Sequence, residues 1–150
     1  MFKMIDIPPV WLMLAIALAW AQAEYAPMGI SIAHPVIDLF SGLLIGGGVV
    51  LIALAALTFA RARTTIIPHQ TPTDLITTGV FGRSRNPIYL GDALILTGLI
   101  LRFDAVPSLV LVPIFIWWIE RHFIVSEENR MRRVFGADFA AYEQKVRRWV

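Results

Sequence analysis

The sequence predicts an all-α integral membrane protein, with about four transmembrane helices and a cytoplasmic helical cap at the C-terminus. Hydrophobic residues make up 57% of the 150 residues, and the mean hydropathy is +0.68. Soluble domains are usually about 45–50% apolar. The apolar residues also gather in long runs, and the charged residues lie mostly between them. This pattern indicates a single membrane domain over residues 1–150.

The composition also excludes several kinds of site. The chain has no cysteine, which rules out disulfides, thiolate metal sites and a cysteine nucleophile. A formal charge of +2 is too small to indicate a nucleic-acid partner. The three histidines, His34, His69 and His122, lack the spacing of metal ligands, so no metal site is predicted.

The first apolar run, residues 9–23, predicts a transmembrane helix. Its last letters, AQA, are also compatible with a signal-peptidase site. A signal peptide needs a positive segment before its apolar run, and here Lys3 is offset by Asp6. A retained first helix is therefore the favoured interpretation.

Three further apolar runs follow, at residues 36–60, 88–101 and 105–119. In the second run, Gly42 and Gly46 fall on one helix face, which predicts close approach of another helix. The third run, if helical, spans about 21 Å, less than a hydrocarbon core of about 30 Å. The last two runs therefore predict a hairpin that begins or turns within the membrane interface.

The chain is polar and amphipathic from residue 120 onward, with apolar positions recurring at threes and fours. This spacing predicts helices that lie on the membrane surface or dock on the polar connection before the third run. Gly136 interrupts the pattern and predicts a division into two helices.

The basic residues predict the orientation in the membrane. Lysines and arginines lie between the second and third runs and after the fourth, but the connection of residues 24–35 has none. By the positive-inside rule, four crossings with both termini in the cytoplasm fit this distribution, in what we expect to be the plasma (inner) membrane. The loop of residues 83–89 and the acidic tract of residues 120–128 then face the same compartment.

These two tracts together predict a ligand site. Pro87 suits the first turn of a helix, whose free amide groups favour an anion. Arg85 can bind a carboxylate or phosphate through two hydrogen bonds. Two adjacent carboxylates, Glu127 and Glu128, can hold a cation, a ribose diol or an ammonium group. The arrangement suits a zwitterionic ligand of nucleoside size.

A purely structural interpretation of the same residues is also open. Arginines at a membrane edge commonly contact lipid headgroups. The acidic pair can equally belong to the first turn of a helix capped by Ser126.

The order of the motifs resembles a known family. Membrane methyltransferases of the isoprenylcysteine carboxyl methyltransferase and phospholipid methyltransferase type carry a GPY…RHPxY loop, two apolar helices, an EE pair and an FGxxYxxY pattern. This chain reads GVFGRSRNPIY, two apolar runs, EENRM and FGADFAAY. The resemblance covers about residues 60–150.

The resemblance implies S-adenosylmethionine as methyl donor, bound at the cytoplasmic edge. The cofactor-binding residues that it implies are Gly79, Phe81, Arg85, Asn86, Pro87, Tyr89, Glu127 and Glu128. Asn86 stands where the family usually has histidine, Val80 where it has proline, and Phe81 where it has tyrosine. Family members that methylate a carboxylate use an arginine just before the acidic pair, and Arg121 is the candidate here.

The predicted function is methyl transfer to a hydrophobic or amphiphilic acceptor: an isoprenylcysteine-like carboxylate, a lipid or a small apolar nucleophile. The lipid bilayer is the other expected partner. An amine acceptor would need a base, for which His122 or a glutamate is a candidate. One alternative is a non-enzymatic membrane module that binds headgroups. A membrane reductase with a nicotinamide cofactor ranks third, because the chain lacks a dinucleotide glycine fingerprint.

Overall fold

The computed structural model describes residues 5–63 and 74–150, and no β-strand occurs in those ranges. The helices are α1 (Pro8–Tyr25), α2 (Pro35–Ala62), α3 (Pro87–Arg102), α4 (Leu111–Ile119), α5 (Val125–Phe135) and α6 (Ala137–Lys145). Short 3-10 turns at Gly79–Gly82 and Val106–Val110 precede α3 and α4, and a π-helical turn at Glu120–Ile124 joins α4 to α5. The predicted all-α class is confirmed. His69, one of the three histidines without metal-ligand spacing, lies outside the described residues.

Proline begins three of the helices. Pro8, Pro35 and Pro87 stand in the first turns of α1, α2 and α3. Proline has no backbone N–H to lose there, and its φ angle is already helical. At α2, His34 Nδ1 also accepts a hydrogen bond from the backbone N–H of Val36, at 3.1 Å. The predicted start of α3 at Pro87 is confirmed.

The chain from Val106 to Phe135 is one long helix rather than two separate ones. Ile124, just before α5, has the helical backbone angles φ −63° and ψ −47°. The interpretation of the acidic pair as a new helix start capped by Ser126 is therefore wrong, because the backbone is already helical there. The predicted break at Gly136 is confirmed, since this residue has φ +52° and separates α5 from α6.

Helix α3 occupies the centre of the bundle and packs against α1, α2 and α4. Its side chains Leu96 and Ile100 are almost fully buried, together with Ile119 of α4 and Ala19 of α1. Helix α3 is therefore held firmly, and this fixes the position of the polar loop of residues 79–86 that precedes it.

Glycines let α2 and α3 approach closely. A Cβ atom added at Gly91 would lie 2.6 Å from Cγ1 of Ile52 and 2.8 Å from the carbonyl oxygen of Gly48. The close approach predicted for α2 is present, but the prediction is wrong for Gly42 and Gly46. Added Cβ atoms at those two positions would meet nothing within 4 Å, because that face of α2 points away from α3.

The first helix packs into the same core. Ala15 and Ala19 of α1 are buried in the main apolar cluster. The hydroxyl of Ser108 donates a hydrogen bond to Oε1 of Gln22, at 2.8 Å. These contacts join α1 to the rest of the bundle.

In the part of the chain that the structure describes, two helices are long and apolar enough to cross a membrane: α2 and the helix Val106–Phe135. Helix α3 has only 16 residues and rises about 24 Å. Large apolar side chains of α2 are exposed, namely Val36, Leu39, Phe40, Leu43, Val49, Val50, Leu54 and Leu57. An apolar surface of this extent is typical of a membrane or protein contact. Four crossings remain a prediction for α1 and α3.

Candidate active site

The polar loop, residues 79–86, folds around a buried aromatic ring. Gly79 has φ +62°, a conformation that glycine adopts without strain. Phe81 is buried and packs edge-to-face on Phe59, with ring centroids 5.1 Å apart. The hydroxyl of Tyr142 donates a hydrogen bond to the Phe81 carbonyl oxygen, at 2.6 Å. Burial raises the pKa of Tyr142 to about 12, so this hydroxyl keeps its proton near neutral pH and ties α6 to the loop.

The last five residues, 146–150, cross the polar loop and form what we call the C-terminal strap. The backbone N–H of Arg85 donates to the carbonyl oxygen of Arg147, at 3.0 Å. Nδ2 of Asn86 donates to the carbonyl oxygen of Arg148, also at 3.0 Å. Asn86 therefore fastens the strap through a neutral amide, a role that needs no titratable group.

Arg85 points into the interior with incomplete hydrogen bonding. Its side chain is 12% exposed, and Nη1 lies 3.4 Å from Glu128 and 3.3 Å from Glu143. These ion pairs lack hydrogen-bond geometry, and no described residue accepts a hydrogen bond from the buried Nε and Nη1. A buried donor without a partner costs about 1–3 kcal/mol, and more when it is charged. The guanidinium group therefore keeps two buried N–H donors that the described residues do not satisfy.

Glu128 is held by the strap. Nε and Nη2 of Arg148 donate to its two carboxylate oxygens, at 2.9 and 2.8 Å. Nη1 of the same arginine donates to Glu120, at 2.8 Å, and the indole N–H of Trp149 donates to the other oxygen of Glu120, at 2.9 Å. Hydrogen bonding to Glu128 raises the pKa of Arg148 above its usual value. The strap therefore fixes the acidic pair from one side.

A second ion cluster joins α5 to α6. Nε and Nη2 of Arg132 donate to the two carboxylate oxygens of Glu143, at 2.8 and 2.9 Å. Hydrogen bonding from Arg132 lowers the pKa of Glu143. Arg85 links this cluster to the ion pair of Arg148 with Glu128, because it lies between Glu128 and Glu143.

The other member of the acidic pair meets α3. Glu127 accepts a hydrogen bond from the hydroxyl of Tyr89, at 2.7 Å. Asp92 lies three residues after Tyr89 and therefore on the same side of the helix. It is only 7% exposed.

A cavity of about 540 Å³ lies between the polar loop and helices α2, α3, α5 and α6. Small-molecule sites commonly have volumes of about 300–1,000 Å³. Its wall is largely apolar, with Ile52 and Phe59 from α2 and Met131 from α5. Of the predicted cofactor residues, those that line it are Phe81, Arg85, Asn86, Pro87, Tyr89, Glu127 and Glu128. Gly79 does not line the cavity and instead shapes the loop.

Two further predicted residues lie away from the cavity. Arg121 is exposed on the π-helical turn and is not part of the lining. His122, beside it, places Nε2 2.8 Å from the Asp6 carboxylate and stacks on Trp118, with ring centroids 4.8 Å apart. The structure therefore brings together the polar loop and the acidic pair, but not Arg121.

Sequence reasoning missed several residues of this site. The sequence predicts no role in the site for Arg148, Trp149 or Glu143, and Arg148 enters only among the basic residues that indicate membrane orientation. Asp92 had a usable signal, because it is the lone charged residue in the apolar run of residues 88–101.

Fold and site together define a helical membrane protein with a ligand cavity at the polar edge of its bundle. Residues 36–138, more than two thirds of the chain, match the family model described as phospholipid methyltransferase. The chain belongs to the phospholipid methyltransferase family, which implies methyltransferase activity. No curated protein and no solved structure matches it.

Proposed function

We propose that this protein transfers a methyl group from S-adenosylmethionine to a hydrophobic or amphiphilic acceptor within the membrane. The observation that supports this most is the Arg85 guanidinium group. It lines the cavity of a methyltransferase-family chain, and the described residues leave two of its buried N–H groups unsatisfied. Unsatisfied buried donors favour a ligand that supplies hydrogen-bond acceptors, such as a carboxylate. The ion pairs of Arg85 with Glu128 and Glu143, at 3.4 and 3.3 Å, balance its charge but leave these N–H groups available to a ligand.

The residues of the cavity fit the proposed cofactor. S-adenosylmethionine carries a carboxylate, an ammonium group, a sulfonium group and adenosine. Arg85 would bind the carboxylate, and Glu127 would bind a cationic or hydroxyl group. Phe81 and Tyr89 would pack against apolar parts of the molecule, while Asn86, Pro87 and Glu128 complete the wall. Bound there, the cofactor would supply an electrophilic methyl group on sulfur.

The chain's own contribution is positioning and exclusion of water. Methyl transfer is an in-line displacement, so its rate depends on holding two reactants in line. The strap holds Glu128 through Arg148, and Glu128 in turn lies beside Arg85. The apolar wall formed by Ile52 and Phe59 of α2 would admit an acceptor from the bilayer side.

Arg121 stays a candidate for the acceptor's polar head. It lies on the π-helical turn between the apolar helix α4 and the acidic pair, and π-helical turns are frequent at functional sites. A lysine cannot reproduce the planar, bidentate hydrogen bonding of arginine. Arg121→Lys is therefore expected to leave cofactor affinity unchanged and to reduce turnover, provided that the acceptor is anionic.

We also propose that all four apolar segments cross the plasma membrane and leave both termini in the cytoplasm. The absence of basic residues from residues 24–35 supports this orientation. A topology reporter fused at the C-terminus is expected to report the cytoplasm, and one inserted within residues 27–33 the outer side. A cytoplasmic signal from the inserted reporter would contradict the four-crossing arrangement.

Cofactor binding tests the proposal. Isothermal titration of the detergent-purified protein with S-adenosylmethionine is expected to show binding that Arg85→Lys weakens about 10- to 150-fold, the equivalent of one charge-assisted hydrogen bond. Arg83→Lys is the matched control, because Arg83 is an exposed residue of the same loop that does not line the cavity. A wild-type protein that binds no S-adenosylmethionine would favour a module that binds only headgroups.

A further inference from the structure

The start of the chain forms part of the cavity wall. Ile7, Pro8 and Pro9 line the cavity, together with residues of the polar loop and α3. Ile7 has an extended backbone, with φ −126° and ψ 147°, because a residue before proline avoids the helical conformation. The chain therefore turns at Ile7, and residues 5–7 lie outside α1. We call residues 5–9 the N-terminal segment.

Asp6 fastens this segment to the π-helical turn after α4. The two carboxylate oxygens of Asp6 lie 2.9 and 2.8 Å from Nε2 of His122. The indole N–H of Trp11 donates to Oδ1 of the same carboxylate, at 3.1 Å. The ring of His122 is held in turn by stacking on Trp118, with 15° between the ring planes. We call the pair of Asp6 and His122 the latch.

The latch is accessible to protons from water. The side chains of His122 and Asp6 are 36% and 35% exposed. Histidine ordinarily changes its charge between about pH 5 and pH 8. Neutral His122 can donate one hydrogen bond to Asp6, whereas protonated His122 adds the attraction between opposite charges. The contact therefore becomes stronger as the pH falls through this range.

The other charged groups around the latch are engaged elsewhere or point to solvent. The acidic residue of α1, Glu24, stands at the other end of that helix. On the π-helical turn, Glu120 accepts hydrogen bonds from the C-terminal strap, and Arg121 is exposed. Aspartate is ordinarily ionised above about pH 5. His122 is therefore the member of the latch whose charge changes near neutral pH.

We infer that Asp6 and His122 form a proton-dependent latch, which holds the N-terminal segment against the cavity and releases it as the pH rises. Protonation of His122 stabilises the closed arrangement, so the extra stability is present at low pH and is lost as the proton leaves. Neither side chain lines the cavity, so the pair positions the wall and does not touch a ligand. The inference concerns access to the cavity and does not depend on which ligand binds there.

Spin labelling tests the release of the segment. The chain has no cysteine, so Ile5→Cys gives a single thiol for a nitroxide label, at an exposed position that does not line the cavity. In nanodiscs, the ratio of mobile to immobile label in the EPR spectrum is expected to rise about 2- to 5-fold between pH 6 and pH 8.5, the range that a partly exposed ion pair supports. Asp6→Asn and His122→Gln are each expected to abolish this rise. His34→Gln is the matched control and should keep it, because His34 caps α2 and is not part of the latch.

A cysteine inside the cavity tests access. Met131→Cys places a thiol on the α5 wall, and its rate of alkylation by a neutral maleimide is measured with and without Asp6→Asn. Comparing the two proteins at the same pH cancels the effect of pH on the thiol. Asp6→Asn is expected to raise the rate about 2- to 5-fold at pH 6 and to have little effect at pH 8.5.

Three results would overturn the inference. The first is a label mobility that does not respond to pH, and the second is a response that persists in His122→Gln, because another group would then carry it. The third is an alkylation rate at pH 6 that Asp6→Asn leaves unchanged, because the segment would then not control access. Thermal unfolding reports whether each variant is folded, and if His122→Gln is not, Asp6→Asn decides the mobility test.

Discussion

The C-terminal strap makes a quantitative prediction through Arg148. Replacing it with methionine keeps much of the side-chain volume but removes two hydrogen bonds to Glu128 and one to Glu120. The Glu128 side chain is 6% exposed, so it loses its strongest partner in a place that water scarcely reaches. It would retain only the longer contacts to Arg85, at 3.4 Å, and Arg132, at 3.5 Å.

The expected magnitude follows from burial. Removing one partner of a buried ion pair destabilises a protein by about 3–5 kcal/mol. The Arg148 side chain is 30% exposed, and Glu128 keeps a neighbouring cation, so the lower limit of about 3 kcal/mol applies. For a chain of this size, each kcal/mol lowers the melting temperature by about 2–4 °C, which gives about 6–12 °C in total.

Thermal unfolding in detergent measures this effect, with Arg147→Met as the control. The side chain of Arg147 is exposed, and its backbone carbonyl, which accepts from Arg85, is unchanged by the substitution. Arg147→Met is expected to leave the melting temperature within about 1–2 °C of wild type. If Arg148→Met lowers it no more than Arg147→Met does, the strap does not hold the acidic pair.

Two further predictions concern the α2–α3 contact and the α5–α6 ion pair. Gly91→Ala is expected to destabilise the bundle by about 1–3 kcal/mol, because the added Cβ would lie 2.6 Å from Cγ1 of Ile52. Gly42→Ala is the control and should be nearly neutral in the same thermal assay, because a Cβ at Gly42 would lie in open space. Hydrogen bonding to Arg132 lowers the pKa of Glu143 below its ordinary 4.5. The ion pair therefore stabilises the folded protein fully above pH 4.5, and this contribution is lost as the pH falls through the lower pKa of the folded state. Melting temperatures between about pH 6 and pH 3 should therefore fall more for wild type than for Glu143→Gln, and parallel curves would contradict the assignment.

The general architecture was predictable because its signals are local. Long apolar runs predict membrane helices, and a proline at a run's start or a glycine at a break marks a helix boundary. Pro87 and Gly136 were located in this way, and both boundaries are as expected. Hydropathy could not predict which glycine meets another helix, since that depends on how α2 is rotated against α3. Gly48 faces α3, whereas Gly42 does not.

The site was predictable in part. The order of the motifs predicted that the polar loop and the acidic pair form one site. Both line one cavity in the structure, and Arg85 lies beside Glu128. The role of Arg148 was not predictable, because contacts over a separation of 20 residues depend on how the chain folds back after Gly136. Arg121 was assigned by sequence position alone, and a helix turn directs neighbouring side chains to different faces. It lies outside the cavity for that reason.

The most direct test of the account is the transfer of a labelled methyl group. Membrane vesicles containing the protein are incubated with S-adenosylmethionine labelled on its methyl group, and the label in the organic-solvent extract is counted. Label is expected in that extract with wild type and with Arg83→Lys, and much less with Arg85→Lys. Equal labelling by wild type and Arg85→Lys would contradict a cofactor site at Arg85, and no label above that of vesicles lacking the protein would contradict methyl transfer to a membrane acceptor.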